Sequence, residues 1–299
     1  MLVTKIALLA IVVGALAWWM HSIASGKRSD AGAGSSVTAA TGQPADTMIA
    51  SVASWRHKQA KKQQRRQGAQ LLDVRLGAGM TAKLNDDEAF RIYYNEELRI
   101  PTAVVYELTR KEAAAHSAQR RDEFSEDNSV AHSARPTDYL GSGYDRGHMA
   151  PAGDMKWSQA AMDRTFRMSN ICPQRHDLNA GAWNDLEIRV RQWAKRDSAI
   201  IVITGPIVDK NPRKIGRNRD IAVPRAFFKV LYAPFIDKPR AIAFVMPNAD
   251  NVPSRLDRYA VSIDEVERLT GLDLLYNLPD DIENAIEAQC NFSQWNRRH

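Results

Sequence analysis

The amino-acid sequence predicts an α+β fold: a mixed, largely antiparallel sheet with flanking helices. Clustered strands are the first sign. Short runs of β-branched and aromatic residues come in groups, with FRIYYN from Phe90 near TAVVYELT from Thr102, and AIIVITGP from Ala199 ahead of AFFKVLYA and RAIAFVMP. Helical spacing, by contrast, occurs in only a few windows between these groups, so no regular strand–helix alternation is set up. The chain also carries no internal repeat.

Composition suits such a body. Of 299 residues, 44% are hydrophobic and 25% charged, the balance of a globular enzyme. A formal charge of +6 and a pI near 9.3 favour an anionic partner, nucleic acid or an anionic membrane surface. Cys172 and Cys290 are too few for a disulfide framework, and free thiols are expected.

Taken from the N-terminus, residues 1–24 hold an apolar run from Ile6 to Met20, with Lys5 ahead of it and Lys27 and Arg28 behind. At about 1.5 Å per residue, Ile6 to Ala24 is long enough to span a bilayer, and Trp18 and Trp19 suit an interface. A cleavable signal peptide also fits, with small residues at Ser22-Ile23-Ala24. Either way the run predicts export: an inner-membrane-anchored protein with its domain outside the cytoplasm, or a periplasmic or secreted one if the segment is removed. Residues 25–70 turn to Ser, Ala, Gly, Thr and Gln and read as a linker, and within it WRHKQAKKQQRRQ, from Trp55, is a basic run of good helix formers. The folded domain is expected over 71–299. Its strands are those quoted above, Gly205-Pro206 closing the one from Ala199. Trp183, Leu186, Val190 and Trp193 mark a helix, and SIDEVERLTG, from Ser262, opens another with a Ser-x-x-Glu capping box and closes it at Gly271.

Several chemistries are excluded by missing motifs. GSGYDRG lacks the Gly-Lys-Ser/Thr end of a phosphate loop and misses the dinucleotide fingerprint. No His-Glu-x-x-His, paired Cys-x-x-Cys or Gly-x-Ser-x-Gly occurs. What stands out is YDRGHMAPAGDM, from Tyr144, followed by NICPQRHDLNAGAWNDLE, which sets Asn170, Asn179, Trp183 and Glu187 in one block. Asp145-Arg146-Gly147-His148 alone is a weak match. Together with the second block and with VITGPI, VPRAFFKVLY, FVMPN and VSIDEVERLTGLDLLYNLPDD, it resembles the DNA/RNA non-specific endonuclease family over roughly Arg91 to Asp281.

That resemblance implies a ββα-metal (His-Me finger) core, in which a hairpin presents His148 and the next helix begins at the metal ligand Asn179. It implies hydrolysis of phosphodiester bonds in DNA and RNA with little sequence preference, since phosphate contacts carry no base information. A neutral imidazole is a suitable base for activating water, the role implied for His148. Mg²⁺ keeps several waters and prefers oxygen ligands, so Asn179 plus a substrate phosphate is enough anchoring, and Mn²⁺ or another divalent cation fits the same ligand. Glu187, eight residues on, binds metal-coordinated waters; Asn170 orients the site; Arg146 bridges phosphate oxygens with its planar fork. A second arginine is expected upstream, Arg121 the first choice and Arg120 the neighbouring one. Trp183 reads as core, and Cys172 as a small buried hydrophobe. DKNPRKIGRNRD, from Asp209, fits a positive rim or a solvated turn. A silent nucleic-acid-binding scaffold and an esterase of small diesters share the fold, and the intact His148, Asn179 and Glu187 set argues against the scaffold. DNA and RNA are the partners implied, with a membrane if the N-terminal helix stays; a homodimer and an inhibitor protein are left open.

Overall fold

The computed structural model describes residues 71–86, 89–218 and 220–296. The expected N-terminal anchor (1–24) and basic linker (25–70) lie outside these residues. Among the described residues no helix is long and apolar enough to cross a membrane.

Strands run in chain order as β1 (Val74–Arg75), β2 (Lys83–Asn85), β3 (Arg91–Asn95), β4 (Ile100–Thr109), β5 (Asp145–His148), β6 (Ile171–Gln174), β7 (Ala199–Ile207), β8 (Lys214–Ile215), β9 (Ile221–Ala222), β10 (Ala226–Ala233), β11 (Arg240–Pro247), β12 (Ala260–Val261) and β13 (Asp273–Leu274). Helices are α1 (Arg110–Ala113), α2 (Gln159–Thr165), α3 (Asn184–Asp197), α4 (Ile263–Thr270), α5 (Asp280–Glu287) and α6 (Phe292–Asn296).

Seven strands form one antiparallel sheet in the order β12-β11-β10-β7-β4-β3-β2. Both faces are covered. Alternation along β7 sends Ile200 and Val202 into one core and Ile201 and Ile203 into the other, which is why its sequence is an unbroken apolar run. The first core lies under α3 and includes Trp183, Trp193, Phe227 and Phe244; burying each such side chain contributes about 1.5–3 kcal/mol. The second is closed by α4 and α5 through Ile263, Val266 and Ile286.

One boundary differs from the sequence reading. β7 does not stop at Gly205-Pro206 but continues through both to Ile207. Past Thr204 it pairs only with β10, so the donor that Pro206 lacks is not needed on the other side. The ends of α4 do follow the sequence: the Ser262 hydroxyl accepts from the Glu265 N–H, and Gly271 takes the left-handed conformation (φ 74°) that a side chain would oppose. The Glu265 carboxylate is engaged elsewhere, by Arg268.

Apart from this sheet, β5 pairs antiparallel with β6, setting His148 opposite Ile171 and Gly147 opposite Cys172. Gly147 is required there. A Cβ at that position would lie 2.2 Å from Gln174 Oε1 and 2.6 Å from Gln174 Cβ, closer than atoms approach. This ribbon, the wound turn after it and α3 together make the ββα unit.

Candidate active site

β5 ends at His148, and the imidazole is held between two aromatic rings. Its centroid is 5.4 Å from that of Phe124 and 4.9 Å from that of Phe166, the latter edge to face. The same pair carries arginines: Arg146 lies 4.3 Å over Phe124, and Arg120 lies 5.4 Å over Phe166. His148 Nε2 is buried and has no hydrogen-bond partner among the described residues. Burial, then the Arg120 charge and more weakly that of Arg146, push the imidazole down to about 3, with Asp122 pulling the other way. It is therefore neutral at physiological pH, with a free nitrogen lone pair.

Arg120, Phe124, Arg146 and His148 line a cleft of about 760 Å³ together with Asn179, Glu187 and Arg191. Asn179 is not a helix cap. Its Nδ2 donates to Asp145 Oδ2 at 3.0 Å, so its side-chain oxygen is left as an acceptor. Asp145 Oδ2 also meets His176 Nδ1 at 2.8 Å, a partner the sequence reading did not foresee for that exposed histidine. Asn179 sits in the wound turn Leu178–Trp183, which is broken by non-helical angles at Gly181 (φ −103°, ψ −112°) before α3 begins. Its distance in sequence from Glu187 is therefore not two regular helical turns; this kink, together with Asp145, brings both side chains to one cleft.

Glu187 rests on a buried polar network. Burial first, with the Asp154 charge adding to it, raises its carboxyl to about 7 against the opposing charges of Lys229, Arg191 and Arg120. Asp154, itself 1% exposed, accepts from Arg191 Nη1 at 2.8 Å and from the Tyr106 hydroxyl at 2.8 Å. Lys229 comes from β10 on the same sheet face as Phe227 and Leu231. Its ammonium is buried, donates to Thr204 Oγ1 at 3.2 Å and lies 4.6 Å over the Trp183 ring. Arg191 and Lys229 were missed in the sequence, although signals existed for both. Arg191 is one helical turn after Glu187, and Lys229 is the lone charge in an otherwise apolar strand.

Asn170 is fully buried and lies beneath the cleft. Its Oδ1 accepts from the Ala150 N–H at 2.9 Å, and its Nδ2 donates to the Ala150 and Thr165 carbonyls, each at 2.9 Å. Its side-chain hydrogen bonds go to backbone, two at Ala150 just after His148 and one at Thr165. Trp183 and Cys172 are buried in the core, and burial pushes the Cys172 thiol up. Near the rim, Arg175 and Arg213 both lie over Tyr144, at 5.5 and 5.7 Å, so part of the basic loop from Asp209 adjoins the cleft.

Of the two upstream arginines, the fold brings Arg120 rather than the first-choice Arg121 to the cleft. Arg121 points away, 3.8 Å from Asp163, and does not line the cleft; Arg120 does. The segment holding both lies outside the strands, and no periodicity in the sequence fixes which of two neighbouring side chains faces the cleft. Arg120→Ala should lower kcat/KM on plasmid DNA by at least about 10-fold, a loss of roughly 1.4 kcal/mol, while Arg121→Ala stays within about 2-fold. Equal losses in steady-state assays would contradict this assignment.

As donors, the Asn179 amide oxygen and the Glu187 carboxylate are hard oxygens on one cleft wall, with no thiolate among the lining residues. This set fits a hard divalent cation better than a soft one.

Residues 67–281 match the family model described as DNA/RNA non-specific endonuclease. Similar proteins include the mitochondrial nuclease of Saccharomyces cerevisiae, 35% identical over 230 residues that span 70% of each chain. Human mitochondrial endonuclease G is 37% identical over 66% of this chain and 71% of that protein. The mouse mitochondrial nuclease EXOG is 35% identical, with 60% of this chain matching 53% of it. Among solved structures, one described as the EndoG/EndoGI complex and a mechanism of EndoG inhibition superposes with a TM-score of 0.61 at 32% identity, covering 67% of this chain and 89% of that one. Relatives named as mitochondrial nucleases overturn the expectation of an exported, inner-membrane-anchored or secreted protein, which had rested on the apolar run, its flanking charges and Trp18-Trp19.

Proposed function

This chain belongs to the DNA/RNA non-specific endonuclease family and is a nuclease, a hydrolase of DNA and RNA; from that premise we propose how its residues divide the chemistry. His148 acts as general base, a ring nitrogen taking the proton of the attacking water. The observation that carries this reading is the neutral, unpartnered imidazole nitrogen beside Arg120 and Arg146 on the wall of an open cleft.

Asn179, through its side-chain oxygen, would hold the divalent cation, and Mg²⁺ is the ion that best suits a single protein oxygen plus waters and phosphate. When bound, the cation supplies polarisation of the phosphate and neutralisation of the leaving oxygen. Glu187 accepts hydrogen bonds from the waters around that ion, and Lys229 and Arg191 behind it favour its ionised form. Arg146 and Arg120 bind phosphate oxygens with their guanidinium forks and hold the backbone in line. Asn170 keeps the segment after His148 in place. The catalytic domain runs from about Leu71 to the C-terminus. By analogy with the solved EndoG/EndoGI complex, an inhibitor protein is a partner class for this chain.

The test is degradation of supercoiled plasmid and of total RNA by the purified chain with Mg²⁺, then with EDTA, beside a chromogenic small diester. Both polynucleotides should be cut with Mg²⁺, and EDTA should stop the reaction. Hydrolysis of the diester with both polynucleotides left intact would replace this reading by that of a small-substrate esterase.

A further inference from the structure

A second group of carboxylates lies on the sheet face opposite the cleft. α4 carries Asp264 and Glu267 one turn apart, and Glu287, the last residue of α5, meets them. Oxygens of these three side chains all lie within 4.8 Å of one another. Glu287 is 6% exposed, and its Oε1 is buried with no hydrogen-bond partner among the described residues. Glu267 uses one oxygen to accept from the Leu274 N–H at 2.6 Å, which leaves the other for the cluster.

Among the described residues, the arginines of this region are engaged elsewhere. Arg75 pairs with Asp273, and Arg268 pairs with Glu265. The carboxylates of Glu267, Glu283, Asp264 and Asp273 all add like charge near the Glu287 side chain. Burying an unpaired carboxylate among like charges is costly unless something positive joins them. Glu287 also lies beyond residue 281, where the family match ends.

From this arrangement we propose that Asp264, Glu267 and Glu287 form a cation site separate from the cleft, taking one Ca²⁺-class divalent ion that braces α4 against α5. Ca²⁺ accepts six to eight oxygens at about 2.3–2.6 Å in irregular geometry, so a span of up to roughly twice that distance suits it. Mg²⁺, with oxygens at about 2.0–2.1 Å in a strict octahedron, would require the helices to close further. Asp264 is exposed, leaving room for waters to complete the shell.

Thermal unfolding of the full chain at pH 7.5, with and without 2 mM CaCl₂, tests the site on the parent, Glu287→Gln and Asp264→Asn. At a Kd of about 10⁻⁴ M, Ca²⁺ should raise the parent Tm by about 4–7 °C. Both variants should lose more than about half of that rise, and calorimetry should count one Ca²⁺ fewer per chain. Ca²⁺ held in the cleft would act equally on all three chains, so the difference between them is the readout. DNA cleavage by Glu287→Gln should stay within about 2-fold of the parent. If Glu287→Gln fails to fold, the substitution at exposed Asp264 carries the comparison. An equal rise in every chain, or no rise and no missing ion, would overturn the proposal and leave a cluster that shares protons.

Discussion

His148→Ala should cut cleavage of DNA and RNA alike by about 10²- to 10⁴-fold, the range that loss of a positioned general base gives. Binding to a short duplex should weaken much less, because Arg146 and Arg120 remain on Phe124 and Phe166. A variant that retained more than a tenth of parental activity would remove His148 from the chemistry. A second readout separates this role from simple packing. The imidazole titrates near 3 in the fold, against about 6.5 when unfolded, so below pH 6.5 the unfolded chain binds a proton that the native one refuses. Stability is therefore fully present above pH 6.5 and falls with acidification. Between pH 6.5 and 5 the parent should lose up to about 2 kcal/mol that the alanine variant keeps.

The largest expected effect on stability comes from Asn170→Ala. The substitution strands the buried Ala150 N–H and two carbonyl acceptors, those of Ala150 and Thr165. Each such group costs about 1–3 kcal/mol, and with the lower end of that range for the two carbonyls a loss of roughly 3–5 kcal/mol is expected, close to 10 °C in Tm. Activity should fall with it, through kcat more than KM, because the loop being released follows His148 directly while the arginines that hold phosphate are untouched. Asn170→Asp should be intermediate, since a carboxylate can accept from the Ala150 N–H but cannot donate to the carbonyls. An alanine variant melting within about 2 °C of the parent would show that the loop is held by other contacts.

Much of this was legible in the sequence because the signals are local. The strands at Arg91, Ile100, Ala199, Ala226 and Arg240 follow from β-branched and aromatic runs, and α4 from its cap and terminal glycine. The two blocks around His148 and Asn179 carried the family, which the match over 67–281 bears out. Hydropathy of residues 1–24 predicted export, and there the sequence reading failed: an apolar run is a shared property of several targeting segments, and the relatives named as mitochondrial point away from that expectation.

By itself, then, the sequence determined the fold class, the family and the chemical types gathered in two short blocks, because period and residue type are fixed by neighbours along the chain. Tertiary structure alone decided which arginine enters the cleft. It turned Arg120 inward and Arg121 toward Asp163, set Lys229 and Arg191 behind Glu187, and buried Asn170 under the histidine loop. It also brought Glu287 onto α4. These are contacts between residues far apart in sequence, whose energies depend on burial and on distances set by packing, and no local pattern encodes either.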